Sequence, residues 1–334
     1  MADYKPWLTV FGIHLIYAGY FVLTKLAFDV GMNTFVFVFY RQAMATLFLA
    51  PITIFIERKS APPMSFSIFI KIFMLSLFGI TMSLDIVGVA LKYTSASLGA
   101  ATTNTLPVIT FFLALLLRVE KLNIKTSPGM LKAAGVSLCI GGVATIAFYR
   151  GFFLKIMKHH LINNNDVNKH QNHVPSSDTW VKGVFLMLLS QFFWALWLVL
   201  QGRVLIGYPS KLLMTTVQCF LSTLQSFVVA IVVTRDPKDW KLEWNIRLLS
   251  VVYCGVVVTG LTFYLQTWVV EKRGPVFLAM TTPLIMVFTI ILSAFVLGES
   301  VSFGSLLGAL LLVGGLYFVL WGKAKEEERE KLAR

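Results

Sequence analysis

Several ionisable and amide side chains of this 334-residue chain fall inside long apolar runs. A charge at the centre of a membrane helix costs about 2.5–3.5 kcal/mol on insertion scales, so each such residue is by default a functional hypothesis. Asp85 stands between Leu84 and Ile86. A carboxylate there could couple a proton or bind an amine; the alternative is a place nearer the interface, paired with a base. Lys25 and Arg41 could each hold a substrate carboxylate, arginine through two parallel bonds. Against this, Lys25 can snorkel to the interface, and Arg41 can fix helix packing or meet an acid such as Asp29.

Polar groups beside prolines form a second set. Asn104 precedes Pro107 by three residues, and Thr281-Thr282 directly precede Pro283. Proline inside a spanning helix frees a backbone carbonyl, which is tolerated where protein or water satisfies it. Broken helices of this kind line solute sites in transporters, although a simple kink held by hydroxyls would leave the same sequence trace. Trp194, Trp197 and Gln201 follow at spacings of three and four, which places them on one helix face. Such an aromatic wall with one amide suits an amphipathic solute, while a core or interfacial tryptophan is the plainer reading for Trp197. Thr259, Thr262 and Gln266 are further candidates for the same wall.

No catalytic constellation accompanies them. Cys139, Cys219 and Cys254 are far apart in apolar stretches and lack metal spacing. His159, His160, His170 and His173 lie in an Asn-rich polar segment that reads as a disordered connector. No cofactor or metal is called for, and a membrane enzyme would need converging nucleophile, base or ligands that the sequence does not offer.

The elements that must position these residues are membrane helices. Hydrophobic residues make up 57% of the chain and charged ones 13%, with a mean hydropathy of +0.76. That leaves too little polar surface for a soluble domain. At about 20 apolar residues per crossing, the sequence predicts ten helices, near 7–28, 33–56, 66–91, 96–117, 130–149, 181–202, 211–234, 247–270, 275–297 and 303–321. The net charge of +13 does not indicate nucleic acid, because Lys and Arg cluster between apolar runs, where they orient the chain. Summed by loop, they favour cytoplasmic N- and C-termini, with the 150–180 loop weighing against. The partner surface is then the lipid bilayer.

The chain also repeats itself. Gly135-x5-Gly141-Gly142 matches Gly308-x5-Gly314-Gly315, the run from His14 to Tyr20 matches Gln191 to Trp197 at an offset of 177, and Pro107 matches Pro283 at 176. A unit of five helices crosses an odd number of times, so two in tandem lie oppositely oriented. The expected fold is an all-α polytopic membrane protein: ten transmembrane helices as two inverted five-helix repeats. The first repeat is 1–149, a polar loop 150–180, the second repeat 181–322 and a charged cytoplasmic tail 323–334. Inverted repeats recur in secondary transporters, with the solute at the repeat interface near the bilayer midplane. Gly304-x3-Gly308 is a small-residue packing motif that either seats its helix in the bundle or dimerises the protein, and no oligomeric state follows from it.

Particular motifs carry a family resemblance. Lys92-Tyr-Thr-Ser-Ala-Ser97 leading to Asn104-x-x-Pro107 is one, and Trp268-x3-Lys272-Arg-Gly-Pro275-Val-Phe with Pro283 is another. Tyr40-Arg41-Gln42, Gln201 with Tyr208-Pro209, Gly298-Glu299 and the closing Gly314-Gly315-Leu-Tyr-Phe-Val-Leu-Trp321 add to them. Together they resemble the plant branch of the drug/metabolite transporter superfamily, the EamA-type nodulin-like group related to Walls Are Thin and to the UMAMIT amino-acid transporters. The resemblance implies a central cavity, small organic substrates such as amino acids or auxin, and a plasma-membrane or vacuolar address. Amino acids at the plasma membrane are the first expectation. Auxin or a related indole acid at the vacuolar membrane is the second, and a non-transporting scaffold or receptor is the reading from another class. A zwitterion wants an acid and a base, which Asp85 and Lys25 could supply; an indole acid wants aromatic walls and one cation.

Overall fold

The computed structural model describes residues 5–57, 63–94, 99–100, 102–119, 126–148, 153–154, 177–208, 210–296 and 301–332. Among them seven helical stretches are long and apolar enough to cross a membrane. These are α1 (Lys5–Asp29), α2 (Thr34–Glu57), α3 (Phe66–Tyr93), α6 (Ser177–Gly207), α7 (Lys211–Val233), α8 (Ile246–Arg273) and the apolar part of α9. A shorter apolar helix, α4 (Thr103–Leu116), follows α3. Two more, α5 (Ser127–Phe148) and α10 (Phe303–Leu332), pack along one another. The helix α9 comes in two pieces, Pro275–Met280 and Pro283–Val296.

The bundle is turned inside out relative to a soluble protein. Phe55 is 90% exposed and Ile206 86%, whereas Arg41, Gln42, Gln201 and Gln218 are buried. Apolar side chains face outward because their solvent is lipid. Helix association then rests on close packing and interhelical hydrogen bonds rather than on apolar burial. Both are visible. A Cβ on Gly135 would stand 2.6 Å from the Gly315 carbonyl, and one on Gly315 2.6 Å from Cys139 Sγ, so α5 and α10 meet backbone to backbone. Between α2 and α7, Thr53 and Thr216 hydroxyls pair at 2.6 Å and Thr46 and Thr223 at 3.1 Å. From α3, Thr81 Oγ1 lies 2.8 Å from both Ser222 Oγ and Gln225 Oε1 on α7.

Helix ends follow local chemistry. Ser210 Oγ accepts from Leu213 N and starts α7; Asn245 does the same for α8 through Arg247 N. Gly274, at φ +84°, ends α8 in the left-handed region, and Pro275, which needs no donor, begins α9.

Two departures from regular helix recur at matching places. Residues Leu75–Met82 within α3 and Tyr253–Leu261 within α8 are π-helical, 178 residues apart. A π segment widens the helix by one residue per turn and tends to mark functional places. Each carries a glycine against which another helix presses. A Cβ on Gly79 would lie 2.4 Å from Trp197 Cβ of α6, and one on Gly255 would lie 2.5 Å from Met44 Cβ of α2. The second pair is a 3-10 turn, Thr103–Thr105, at the start of α4, and the break at Thr281-Thr282 in α9.

The predicted boundaries shift by a few residues. The sixth helix begins at Ser177 rather than 181, and α10 runs on through the charged tail to Leu332 because nothing in Lys323–Leu332 breaks a helix. Within the segment expected to be an unstructured connector, Phe153–Leu154 pair antiparallel with Val301–Ser302. The four histidines of that segment lie outside the described residues.

Candidate functional site

Helices α1, α2, α3, α4, α6, α8 and α9 line a cavity of about 70 Å³. This is narrower than the few hundred Å³ of a typical small-molecule site. From α1 come His14, Tyr17, Tyr20 and Phe21; α2 gives Arg41 and α3 gives Ser83, Leu84 and Val87. Across from them stand Thr103 and Leu106 of α4, Gln191 and Trp194 of α6, Gln266 of α8, and Leu278, Thr282 and Ile285 of α9.

Arg41 is the one charged residue in that lining, and it is 1% exposed. Its Nε donates to Thr259 Oγ1 at 2.6 Å, and its guanidinium lies 4.8 Å from the Tyr20 ring centroid. Thr259 sits in the π segment of α8, so the local widening carries the hydroxyl that orients the cation. Among the described residues no carboxylate lies within 4.0 Å of Arg41. The suggested partner Asp29 binds Lys25 instead, at 3.1 Å. A buried cation without a counter-ion is costly, and a ligand anion would remove that cost.

Two buried acceptors in the same lining matter beside Arg41. His14 is 2% exposed, and its Nε2 lies 2.8 Å from Thr281 Oγ1. Thr281 spends its own proton on the Leu278 carbonyl, at 2.7 Å. With the Thr281 proton assigned to that carbonyl, His14 donates from Nε2 and Nδ1 is left as a bare lone pair. That Nδ1 is buried and has no hydrogen-bond partner among the described residues. Gln266 donates from Nε2 to Tyr17 Oη at 2.9 Å, and its Oε1 is likewise buried without a partner. The walls are aromatic: Trp194 meets Trp197 in a tilted contact at 4.8 Å and Tyr17 edge-on at 6.5 Å.

The sequence candidates divide accordingly. Trp194 and Gln266 line the cavity, and Thr259 orients the cation inside it. Asn104 neighbours the lining residue Thr103; its Nδ2 reaches Met286 Sδ at 2.9 Å, and its Oδ1 is buried without a partner. Trp197 supports Trp194 from behind and donates to Gln218 Oε1 at 3.2 Å. Gln201 turns away from the two tryptophans and donates to Thr267 of α8, while Thr262 bonds back to the Val257 carbonyl. Lys25 and Asp85 do not come together. Lys25 closes the end of α1, bonding Asp29 and the Leu91 carbonyl at 3.2 Å. Asp85 is buried at 8% exposure, outside the lining, with Oδ1 unpartnered and no base within 4.0 Å among the described residues. The acid-and-base pair expected for a zwitterion is therefore not Asp85 with Lys25 in this conformation.

Sequence reasoning passed over His14, Tyr17 and Gln191 as site residues. The signal was present: His14 is an ionisable group midway along an apolar run, and the repeat offset maps it onto Gln191. Both face the cavity.

The EamA-like transporter family model matches this chain twice, at residues 5–148 and 181–321. The WAT1-related protein At5g64700 of Arabidopsis thaliana is 56% identical over 332 residues, covering 98% of this chain and 92% of that protein. The WAT1-related protein At1g43650 of the same plant is 44% identical, covering 99% and 95%. One solved crystal structure, 15% identical, shares the fold with a TM-score of 0.65 over 96% of this chain and 99% of that one. The chain belongs to the EamA-like transporter family, among the plant WAT1-related proteins, and is an integral membrane protein.

Proposed function

We propose that this protein is a secondary transporter for amino acids, with the carboxylate held by Arg41 and the ammonium by His14 Nδ1 and Gln266 Oε1. One observation carries the reading: a buried cavity lining holds one cation without a counter-ion and two acceptors without partners among the described residues. That set complements a zwitterion, with neutral acceptors taking the place expected for Asp85 and Arg41 the place expected for Lys25. A bound molecule lacking an amino group would leave the acceptors unpaired at about 1–3 kcal/mol each. Trp194, Tyr17 and Phe21 would take the apolar side chain.

The transport cycle follows from ten spanning helices in two inverted five-helix repeats, the arrangement we propose. Supporting it, matching latches sit at opposite ends of the α2–α7 pair. At one end Glu57 accepts from Ser210 Oγ and, at 3.1 Å, from Leu213 N; at the other Asn33 donates to Asp239 Oδ2 at 3.1 Å. Exchange of roles between the halves would break one latch while keeping the other. The distribution of Lys and Arg supports cytoplasmic termini, and we take the plasma membrane as the site of action.

An indole acid such as auxin is the second reading, favoured by the aromatic wall and by the absence of an acid from the lining. Its ring N–H could satisfy one acceptor and not both. Efflux of a labelled amino-acid mixture beside labelled indole acetic acid, from cells displaying the protein at their surface, separates the two. Amino-acid efflux that fails in Arg41→Gln supports the first reading, and movement of indole acetic acid alone replaces it with the second.

A further inference from the structure

We infer that His14 Nδ1 is a proton site, and that proton and substrate amino group compete for its one lone pair, which makes the protein a proton/amino-acid exchanger. The inference rests on the amino-acid reading above and adds its coupling ion.

The geometry supplies the exchange. In the tautomer where the Thr281 hydroxyl donates to the Leu278 carbonyl, His14 keeps its Nε2 proton and can bind a second proton only at Nδ1. With Nδ1 protonated the ring donates from both nitrogens and accepts from neither. An ammonium then finds no lone pair there and meets a like charge. With Nδ1 bare, the ammonium can bond to it, and no proton can be carried. One occupant excludes the other, so a full cycle moves a proton one way and an amino acid the other. Thr281 lies in the break of α9, which ties the state of the ring to the helix discontinuity rather than to a rigid wall.

The surrounding charges permit this. The titratable or charged groups lining the same cavity are Tyr17 and Tyr20 of α1 and Arg41 of α2. The lining contributions of α3, α4, α6, α8 and α9 are neutral. On the faces of α8 toward α1, Tyr253 donates to the Ile16 carbonyl at 3.0 Å and Cys254 lies beside Thr24. None is a carboxylate that could take the proton in place of His14, and Asp85 stands outside the lining. The repeat itself is asymmetric here: the position equivalent to His14 is Gln191, which offers a neutral amide to the same cavity and cannot titrate.

The test uses the full chain in proteoliposomes with a labelled mixture of the twenty amino acids, membrane potential clamped at zero. Wild type should accumulate label when the lumen is acid, up to about tenfold per pH unit for one proton per solute. His14→Gln loses the proton site, so it should lose gradient-driven accumulation whatever counterflow without a gradient survives the loss of an ammonium contact. Asp85→Asn should accumulate as wild type does. Accumulation preserved in His14→Gln, or lost in Asp85→Asn with His14→Gln intact, overturns the inference. If His14→Gln loses counterflow as well, wild-type counterflow at equal pH on both sides decides. The half-saturating concentration must rise about tenfold per pH unit on the acid side of the histidine's titration, and a flat profile overturns the inference. Counterflow of amino acids that ignores pH leaves the transporter reading standing and removes only the exchange. No movement of any amino acid removes both.

Discussion

Thr46 and Thr223 touch, hydroxyl to hydroxyl at 3.1 Å, midway along the contact of α2 with α7, and they are 177 residues apart. The same 177 separates His14 from Gln191. A residue that contacts its own repeat equivalent lies on the axis relating the two halves. Since α2 and α7 lie alongside one another with their latches at opposite ends, that axis would run in the membrane plane, as inverted repeats require. A point on the axis keeps its distance when the halves exchange roles. A short thiol crosslink between Thr46→Cys and Thr223→Cys should therefore leave at least half of the transport rate, whereas one joining Glu57→Cys to Ser210→Cys should abolish it. Equal loss in both would show that the α2–α7 contact itself opens during transport.

The two latches should bias opposite faces. Glu57 serves the α7 N-terminus both as hydrogen-bond acceptor and as negative charge, and removing such a cap costs about 1 kcal/mol. Glu57→Ala should raise thiol labelling of a cysteine at Leu117 and lower it at Val30, and Asp239→Ala should do the reverse. These reporters lie where Arg203 and Arg247 bond across the halves at either face. Parallel changes at both faces would mean loosening without a shift of state.

At Gly79 α3 and α6 approach closely. An alanine Cβ would stand 2.4 Å from Trp197 Cβ and 2.6 Å from Trp197 Cδ1, which only a movement of α6 can relieve. Overpacking of this kind costs about 1–3 kcal/mol. Gly79→Ala should lower the thermal midpoint of the purified protein by several degrees and disturb the Trp194–Trp197 contact that walls the cavity. An unchanged midpoint would show that the helices have slack there.

Trp194 should select by side chain rather than carry the zwitterion. It presents its ring to the cavity between Tyr17 and Trp197. In Trp194→Ala, competition by phenylalanine and leucine should weaken about tenfold while that by glycine and alanine stays within about threefold, given the roughly 1–1.5 kcal/mol of a lost aromatic contact. Uniform weakening across all four would move Trp194 from wall to scaffold.

What was legible in the sequence is the part that obeys length and polarity. Apolar runs placed the seven long spans of the described residues within a few residues, α10 ran on well past its expected end, and Pro283 marks the break in α9. The π segments were not legible, because Leu75–Met82 and Tyr253–Leu261 have the same apolar composition as ordinary helix; only close approach at Gly79 and Gly255 distinguishes them. Site membership was half legible. Trp194 follows from helix facing, but depth and rotation decide whether a buried polar residue meets the cavity or a neighbouring helix. Gln201 was placed with Trp194 by spacing alone, yet the Thr267 hydroxyl lay closer. Arg41 and Lys25 looked alike in sequence, and an aspartate four residues on claimed Lys25 for the helix end.

The most direct test of the account is saturable binding of labelled leucine to the purified protein, with and without Arg41→Gln, competed by leucine and by leucinamide. Leucinamide keeps the amino group and side chain and lacks the carboxylate. The account predicts that wild type binds leucine, that leucinamide competes at least a hundredfold more weakly, and that Arg41→Gln abolishes that preference along with most of the affinity. Wild-type binding in which leucinamide competes as well as leucine, unchanged by Arg41→Gln, would contradict it.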